Sequence, residues 1–329
     1  MNLRVWSERL SYEELAAPAV LDLLRRYDVT LGVQVTPAQR TQAGDALLAL
    51  IHQSAEAGVP LALWPTLDEE AGPWANERNV EEFSDFVDEL LDWTESEHAK
   101  VPWIAVDLQM PREQAERYTQ ASGLGWFLQL FRLMRSNLSR KRFMAASGEF
   151  QSLQTCIADY GAHTVARVMD PVVADLATDG IAWQDFLETP VTTVMWEYVA
   201  LTYYGSVVSG GSIAPADARS LLYQACQAVQ ARYGDHAIVS LGLCGAATRS
   251  GESFYATPAD LQPDVAAALA AGVQNIALAD LAGILQSPEP GAWFEMVRTC
   301  MPAAPAVTEW ARRATDNRQQ MARLFTYFQ

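Results

Sequence analysis

The sequence predicts an α/β protein with a (βα)₈ TIM barrel, and three observations support this fold class. The chain has 329 residues, of which 50% are hydrophobic, and this is enough for a large buried core. Short β-rich runs alternate with helical patterns along nearly the whole length, as in parallel sheets whose strands are joined by helices. Eight strand and helix units are present, the number that closes a barrel, and no Gly-x-Gly-x-x-Gly follows the first strand to favour an open dinucleotide-binding sheet.

The predicted strands are short apolar runs that are rich in β-branched or aromatic residues. In chain order they are 3–6, 29–35, 60–67, 103–108, 164–169, 191–198, 237–243 and 275–279. Helical patterns fill the intervals, at 12–27, 37–57, 80–93, 112–160 in pieces, 182–188, 215–233, 258–271 and 292–300. Pro37 and Pro215 stand at first-turn positions and Thr257 precedes Pro258, and such residues are typical of helix starts.

The domain organisation follows from these units. We expect one barrel domain over residues 1–329, because no linker rich in Pro, Gly or Ser divides the chain. The segment 112–160 is longer than one ordinary barrel helix, so it is predicted to be an enlarged helical insertion after strand four. The last segment, 308–329, has the pattern of an amphipathic helix that closes the bottom of the barrel or covers its side.

The composition excludes several classes of partner. The formal charge of −17 disfavours general attraction to nucleic acid or anionic lipid, so a neutral or cationic small molecule is the easier ligand. The first residues lack the apolar region of a signal peptide, and no later run could span a bilayer, so the protein is predicted to be cytoplasmic and not membrane-bound. The four cysteines form no Cys-x-x-Cys, which argues against a zinc knuckle or a redox pair. The oligomeric state is not predicted.

The most informative stretch is 101–109, an apolar strand that ends in an acid and an amide. Side chains alternate across a strand, so Trp103, Ala105, Asp107 and Gln109 share one face. Barrel active sites lie at the carboxyl ends of the strands, where Asp107 is expected to reach water beside Gln109. The sequence therefore predicts a site around Asp107.

Other strand ends supply acids and indole rings for the same rim. Aromatic faces next to acids and amides are typical of sites that bind a sugar ring, so a carbohydrate or another small molecule is the predicted ligand. A magnesium site built from the rim acids is a weaker alternative, because acids cluster easily in an acidic chain; no metal and no cofactor are predicted. The candidate substrate-binding residues are Trp6, Glu8, Trp64, Trp74, Asn76, Glu77, Asp170, Trp196, Tyr198 and Asp280.

Three of these patterns together resemble a known family. The Asp-x-Gln end of strand four, the Met-x-x-Tyr of 195–198 and the Trp-Pro…Trp-x-Asn-Glu-x-Asn loop of 64–79 resemble chitinase-like barrels of glycoside hydrolase family 18 and uncharacterised bacterial relatives. The resemblance implies a barrel that acts on a carbohydrate. In that family strand four carries Asp-x-x-Asp-x-Asp-x-Glu, whose last Glu is the general acid and whose preceding Asp orients the substrate's N-acetyl group. The four positions are here Pro102, Ala105, Asp107 and Gln109, so only one acid is kept.

The amide at position 109 bears directly on mechanism. A carboxamide cannot protonate a leaving oxygen, and general acid help contributes about 10²–10⁴-fold to rate. Glu197 is the candidate for the missing acid, with Asp107 as its partner, because paired carboxylates are the usual equipment of glycosidases. A structural bond from Glu197 to a neighbouring arginine is an equally good interpretation. The candidate catalytic residues are Asp107, Glu197 and Gln109.

Two other functions stay open on the sequence alone. One is a former hydrolase that is retained for binding or assembly. The other is a lyase or isomerase of secondary metabolism that uses Asp107 as a base. Gln109 is the residue that separates these functions from a working glycoside hydrolase.

Overall fold

The computed structural model describes residues 1–120, 123–210, 213–247 and 253–329, with side chains outside 117–128, 209–212 and 248–252. Eight parallel strands pair in chain order, and β8 pairs with β1 to close the barrel, which confirms the predicted (βα)₈ fold. The strands are β1 (Asn2–Ser7), β2 (Val29–Val35), β3 (Leu61–Pro65), β4 (Trp103–Leu108), β5 (His163–Met169), β6 (Tyr198–Tyr203), β7 (Ala237–Gly242) and β8 (Asn275–Ala279).

Helices connect the strands, and several begin where the sequence predicts. The α3 helix starts after Thr36, whose side chain accepts a hydrogen bond from the backbone N–H of Gln39, while the side-chain oxygen of Gln39 accepts one from the backbone N–H of Thr36. The predicted helix 12–27 is divided, because Pro18 lacks a backbone N–H and starts a new helix. The helices are α1 (Tyr12–Leu15), α2 (Pro18–Arg26), α3 (Pro37–Ala57), α4 (Val80–Ser96), α5 (Arg112–Gln120), α6 (Gly123–Asn137), α7 (Arg140–Tyr160), α8 (Val173–Leu176), α9 (Ala182–Leu187), α10 (Gly205–Gly210), α11 (Pro215–Tyr233), α12 (Pro258–Ala270), α13 (Leu281–Leu285), α14 (Gly291–Thr299) and α15 (Glu309–Thr326).

Strand six was predicted in the wrong place. The segment 191–197 has the β-branched composition of a strand, but it forms turns that precede β6. Its backbone is held by a side chain instead of a neighbouring strand, because Gln184 Oε1 accepts hydrogen bonds from Val191 N (2.9 Å) and Thr192 N (2.8 Å). The true strand is Tyr198–Tyr203, so residues 195–197 lie at the amino end of the barrel.

Two segments add helices to the regular barrel. Three helices, α5 to α7, occupy 112–160 between β4 and β5. The terminal helix α15 packs on α8, α9 and α11, so of its two predicted positions it takes the side of the barrel. Among the described residues, no helix combines the length and the apolar character needed to cross a bilayer.

The inside of the barrel contains aromatic and arginine side chains among small and aliphatic ones. Trp6 and Trp64 meet edge to face with ring centroids 5.9 Å apart. Trp6 has room because β2 carries Gly32 opposite it, where a Cβ atom would lie 2.1 Å from the indole ring. Buried Arg167 stacks on both of these rings near the carboxyl ends of the strands. A second buried arginine, Arg4, stacks on Trp103 near the amino ends.

Candidate ligand-binding site at the carboxyl end of the barrel

A cavity of about 360 Å³ opens at the carboxyl ends of the strands, and we call it the mouth cavity. This volume lies at the small end of the range of about 300–1,000 Å³ that ligand pockets span. Its walls combine aromatic rings, acids, amides and a few apolar side chains. The lining residues are Glu8, Trp64, Trp74, Asp107, Gln109, Arg167, Met169, Asp170, Pro171, Thr202, Tyr203, Tyr204 and Val208.

Asp107 and Arg167 form a buried ion pair at the floor of the mouth cavity. They face each other on β4 and β5, and Arg167 Nη1 lies 2.9 Å from Asp107 Oδ2, although without hydrogen-bond alignment. Each side chain is only 3% exposed. Gln109 Nε2 donates to the other carboxylate oxygen, Oδ1, at 2.9 Å. Both oxygens of Asp107 are therefore engaged by protein groups.

Two indole rings hold Arg167 in place in addition to its ion pair with Asp107. Its guanidinium carbon lies 4.0 Å from the ring centroid of Trp64 and 4.7 Å from that of Trp6. Its Nη2 reaches the hydroxyl of Tyr204 at 3.4 Å. Cation–π contacts strengthen when the cation is desolvated, so the two indoles help to hold the arginine in place.

Burial dominates the electrostatics of the floor. It raises the pKa of Asp107 above its ordinary value, while the Arg167 charge and the Gln109 hydrogen bond act in the opposite direction. Burial also raises the pKa of Tyr204 to about 12, so its hydroxyl stays protonated at neutral pH. The floor thus presents a neutral phenol and an internally paired carboxylate.

The other acids at the strand ends are held by arginines. Asp170 receives two hydrogen bonds from Arg318 of α15, at 3.1 and 2.5 Å. Asp280 receives one from Arg9 Nε at 2.6 Å. Glu8 lines the mouth cavity and is exposed. Within the part of the chain that the structure describes, no three His, Cys, Asp or Glu side chains are placed to share a metal ion.

Three predicted site residues lie at the opposite end of the barrel. Glu197 bonds to Nδ1 of His163 at 2.8 and 2.9 Å, at the amino ends of β5 and β6. Trp196 is 5% exposed and packs on Phe150, so it belongs to the core. Tyr198 begins β6 and faces the amino end of the barrel interior. The predicted pairing of Glu197 with Asp107 was therefore wrong, because strand six starts seven residues later than expected.

Other predicted residues support the mouth cavity without lining it. Trp6 lies beneath it as part of the Arg167 stack. Asn76 is 3% exposed and orders the loop, since its Nδ2 donates to the carbonyl of Trp74 at 2.8 Å. Glu77 accepts a hydrogen bond from Arg142 Nε of α7 at 2.7 Å. Burial raises the pKa of Glu77 to about 8.

The structure also reveals lining residues that sequence reasoning missed. Arg167, Thr202 and Tyr204 all face the mouth cavity. A signal for Arg167 was present, because a lone arginine in the apolar run 164–169 must be paired or reach a cavity. Thr202 and Tyr204 were hidden because strand six was misplaced.

Comparisons with known proteins support the fold. No protein-family model matches the chain, and no characterised protein matches it in sequence. Among solved structures, one of two fungal β-1,4-galactanases matches with a TM-score of 0.58 and 11% identity, over 91% of this chain and 99% of that chain. The PgaB (BpsB) glycoside hydrolase domain from Bordetella bronchiseptica gives 0.55 and 11%, over 90% and 98%. The family 1 β-glucosidase from Thermotoga maritima gives 0.51 and 10%, over 82% and 77%.

At these identities the likeness is one of fold. The chain is similar to glycoside hydrolases that have TIM barrels, and membership of family 18 is not shown by these matches. The substrates of these enzymes are properties of those proteins and are not assigned to this chain by the likeness.

Proposed function

We propose that the mouth cavity binds a neutral carbohydrate and that the protein does not hydrolyse it. The observation that carries this proposal is the closed Asp107 site, in which Arg167 and Gln109 engage both carboxylate oxygens. A carboxylate held in this way orients its neighbours and is not available as a free nucleophile or general acid. The amide of Gln109 stands where the resemblance to family 18 requires the proton donor.

The walls of the cavity suit a sugar. Trp64 and Trp74 contribute indole rings, and Thr202 and Tyr204 contribute hydroxyl groups. Thr202 Oγ1 and Trp64 Nε1 are buried and make no hydrogen bond among the described residues. Apolar faces with a few convergent polar groups are the usual design of a small-molecule site. The fold shared with a galactanase and a β-glucosidase supports the choice of a carbohydrate.

Binding can be tested by isothermal titration calorimetry with β-1,4-galactobiose and cellobiose. We expect binding of at least one disaccharide by the native protein and clear weakening by Trp74→Ala, because this half-buried loop ring lines the cavity. Trp310→Ala is the matched control, since Trp310 is 43% exposed on α15 and does not line the cavity. Equal loss in both variants, or no binding of either sugar, contradicts the proposal.

The absence of hydrolysis needs a separate assay. The native protein should release no product from aryl β-glucosides or β-galactosides. Gln109→Glu is nearly isosteric and restores a proton donor beside Asp107, so measurable release in this variant is expected if the barrel descends from a hydrolase.

One observation favours a second candidate, hydrolysis by Glu8 and Asp107. Both residues line the mouth cavity, and two carboxylates are the usual requirement for cleavage of a glycoside. If the native protein does cleave an aryl glycoside and Glu8→Gln abolishes the cleavage, this candidate replaces the binding proposal.

A further inference from the structure

The loop that carries Trp74 is attached to its surroundings at two places. We call residues 66–79, between β3 and α4, the Trp74 loop. At the first place Ala75 N donates to a backbone carbonyl of β4 at 3.0 Å. At the second the backbone N–H of Glu77 donates to the carbonyl of Glu188, just beyond α9, at 2.9 Å. The position of Trp74 at the mouth cavity therefore depends in part on this second contact.

The side chains at this second contact bring three acids together with two arginines. The side chains of Glu77 and Glu188 are fully buried, and so is Asp185 of α9. Arg142 of α7 donates to Glu77 through Nε at 2.7 Å and to Glu188 through Nη2 at 3.1 Å. Arg78 donates to both oxygens of Glu188, at 2.6 and 2.7 Å. When all three acids are ionised, one negative charge in this cluster has no arginine to balance it.

Glu77 is the acid of the cluster that receives the fewest hydrogen bonds. Both oxygens of Glu188 and both oxygens of Asp185 accept hydrogen bonds. The Oε1 atom of Glu77 is sealed from solvent and accepts none from the residues that the structure describes. A buried ionised oxygen without a donor is unfavourable, so the excess charge is best removed by protonation of Glu77. Burial and the two neighbouring acids accordingly raise the pKa of Glu77 to about 8.

We propose that ionisation of Glu77 releases the Trp74 loop from Glu188, so that the mouth cavity loses its Trp74 wall more often as pH rises. In the released loop Glu77 meets water, which favours its ionised form. The released state therefore gains on the closed state wherever Glu77 is ionised in water but protonated in the cluster. This inference concerns the loop itself and does not depend on what the mouth cavity binds.

Amide hydrogen exchange measures release of the loop without any ligand. The exchange rate of the backbone N–H groups of Glu77 and Arg78, divided by that of an unstructured peptide at the same pH, reports the open fraction of the loop. A group with a pKa of about 8 in the closed loop and about 4.5 in the open one should raise this fraction about 50–100-fold between pH 5.5 and 7.5. The N–H groups of the β-strands should exchange more slowly, because the barrel stays folded while the loop opens.

Two variants show whether Glu77 is the group responsible. Glu77→Gln removes the charge and keeps the shape of the side chain, so its open fraction should change little between these pH values. Glu81→Gln is the matched control, because Glu81 is an exposed acid of α4, and it should keep the full rise. A constant open fraction in the native protein overturns the proposal whether or not the variants fold. A rise in Glu77→Gln equal to the native one also overturns it and assigns the effect to another group, such as Asp185.

Discussion

Replacing Arg167 by Met tests the ion pair on which the floor of the mouth cavity depends. The change removes the cation that lies 2.9 Å from Asp107 while both side chains are 3% exposed, so it leaves a buried carboxylate without a counter-charge. Loss of one member of a buried pair costs about 3–5 kcal/mol of unfolding free energy. The lost contacts with Trp6 and Trp64 add about 0.5–2 kcal/mol each.

The effect of Arg167→Met should depend on pH in a defined direction. Without the arginine, only the Gln109 hydrogen bond opposes the effect of burial on Asp107, and its pKa in the folded protein rises further above the unfolded value of about 3.9. A carboxyl group with a raised folded-state pKa loses stability as pH increases between the two values. The variant should therefore be closest to the native protein near pH 4 and weakest near pH 8.

Urea unfolding over this pH range is the assay. The double variant Arg167→Met/Asp107→Leu removes the charge as well, so it should recover most of the lost stability at pH 7. A loss that is the same at every pH, together with no recovery in the double variant, would refute the reasoning that Asp107 is buried and charged beside Arg167.

Three further variants test other parts of the structure. The native protein should lose stability as pH rises from about 4.5 to 8, because Glu77 has a pKa of about 8 when folded and loses its favourable protonated form over this range. Glu77→Gln should reduce this loss, and the midpoint of urea unfolding at each pH measures the difference. Gln184→Leu should lower the unfolding free energy by about 1–3 kcal/mol for each of the two backbone N–H groups it leaves unpaired, whereas the exposed Gln227→Leu should change little. Gly32→Ala should lower the thermal midpoint and alter the near-UV circular dichroism, because its Cβ would lie 2.1 Å from the Trp6 ring and overpacking costs about 1–3 kcal/mol.

Much of the fold could be predicted because local signals agree with it. The predicted strands 29–35, 103–108 and 275–279 have the bounds of β2, β4 and β8. Alternating apolar runs and capped helix starts are properties of short segments, and a sequence shows them directly. Strand six failed because Gln184 satisfies the backbone of Val191 and Thr192, and this bond could not be foreseen from the composition of the segment.

The candidate site was predicted only in part, because some of its contacts also join residues that do not lie in one short segment. The alternation of side chains across a strand predicted that Asp107 and Gln109 share one face, and both line the mouth cavity. The Asp107–Arg167 pair depends on the register of β4 against β5, which joins residues 60 positions apart and is not visible in either strand alone. Glu197 was assigned to the wrong end of the barrel because strand six was predicted to start seven residues too early.

A crystal structure of the native protein soaked with β-1,4-galactobiose and cellobiose is the most direct test of carbohydrate binding without hydrolysis. The account predicts an intact disaccharide in the mouth cavity, beside Trp64 and Trp74 and above the paired Asp107 and Arg167. An empty cavity, a sugar bound elsewhere, or a single sugar ring left by cleavage would contradict it.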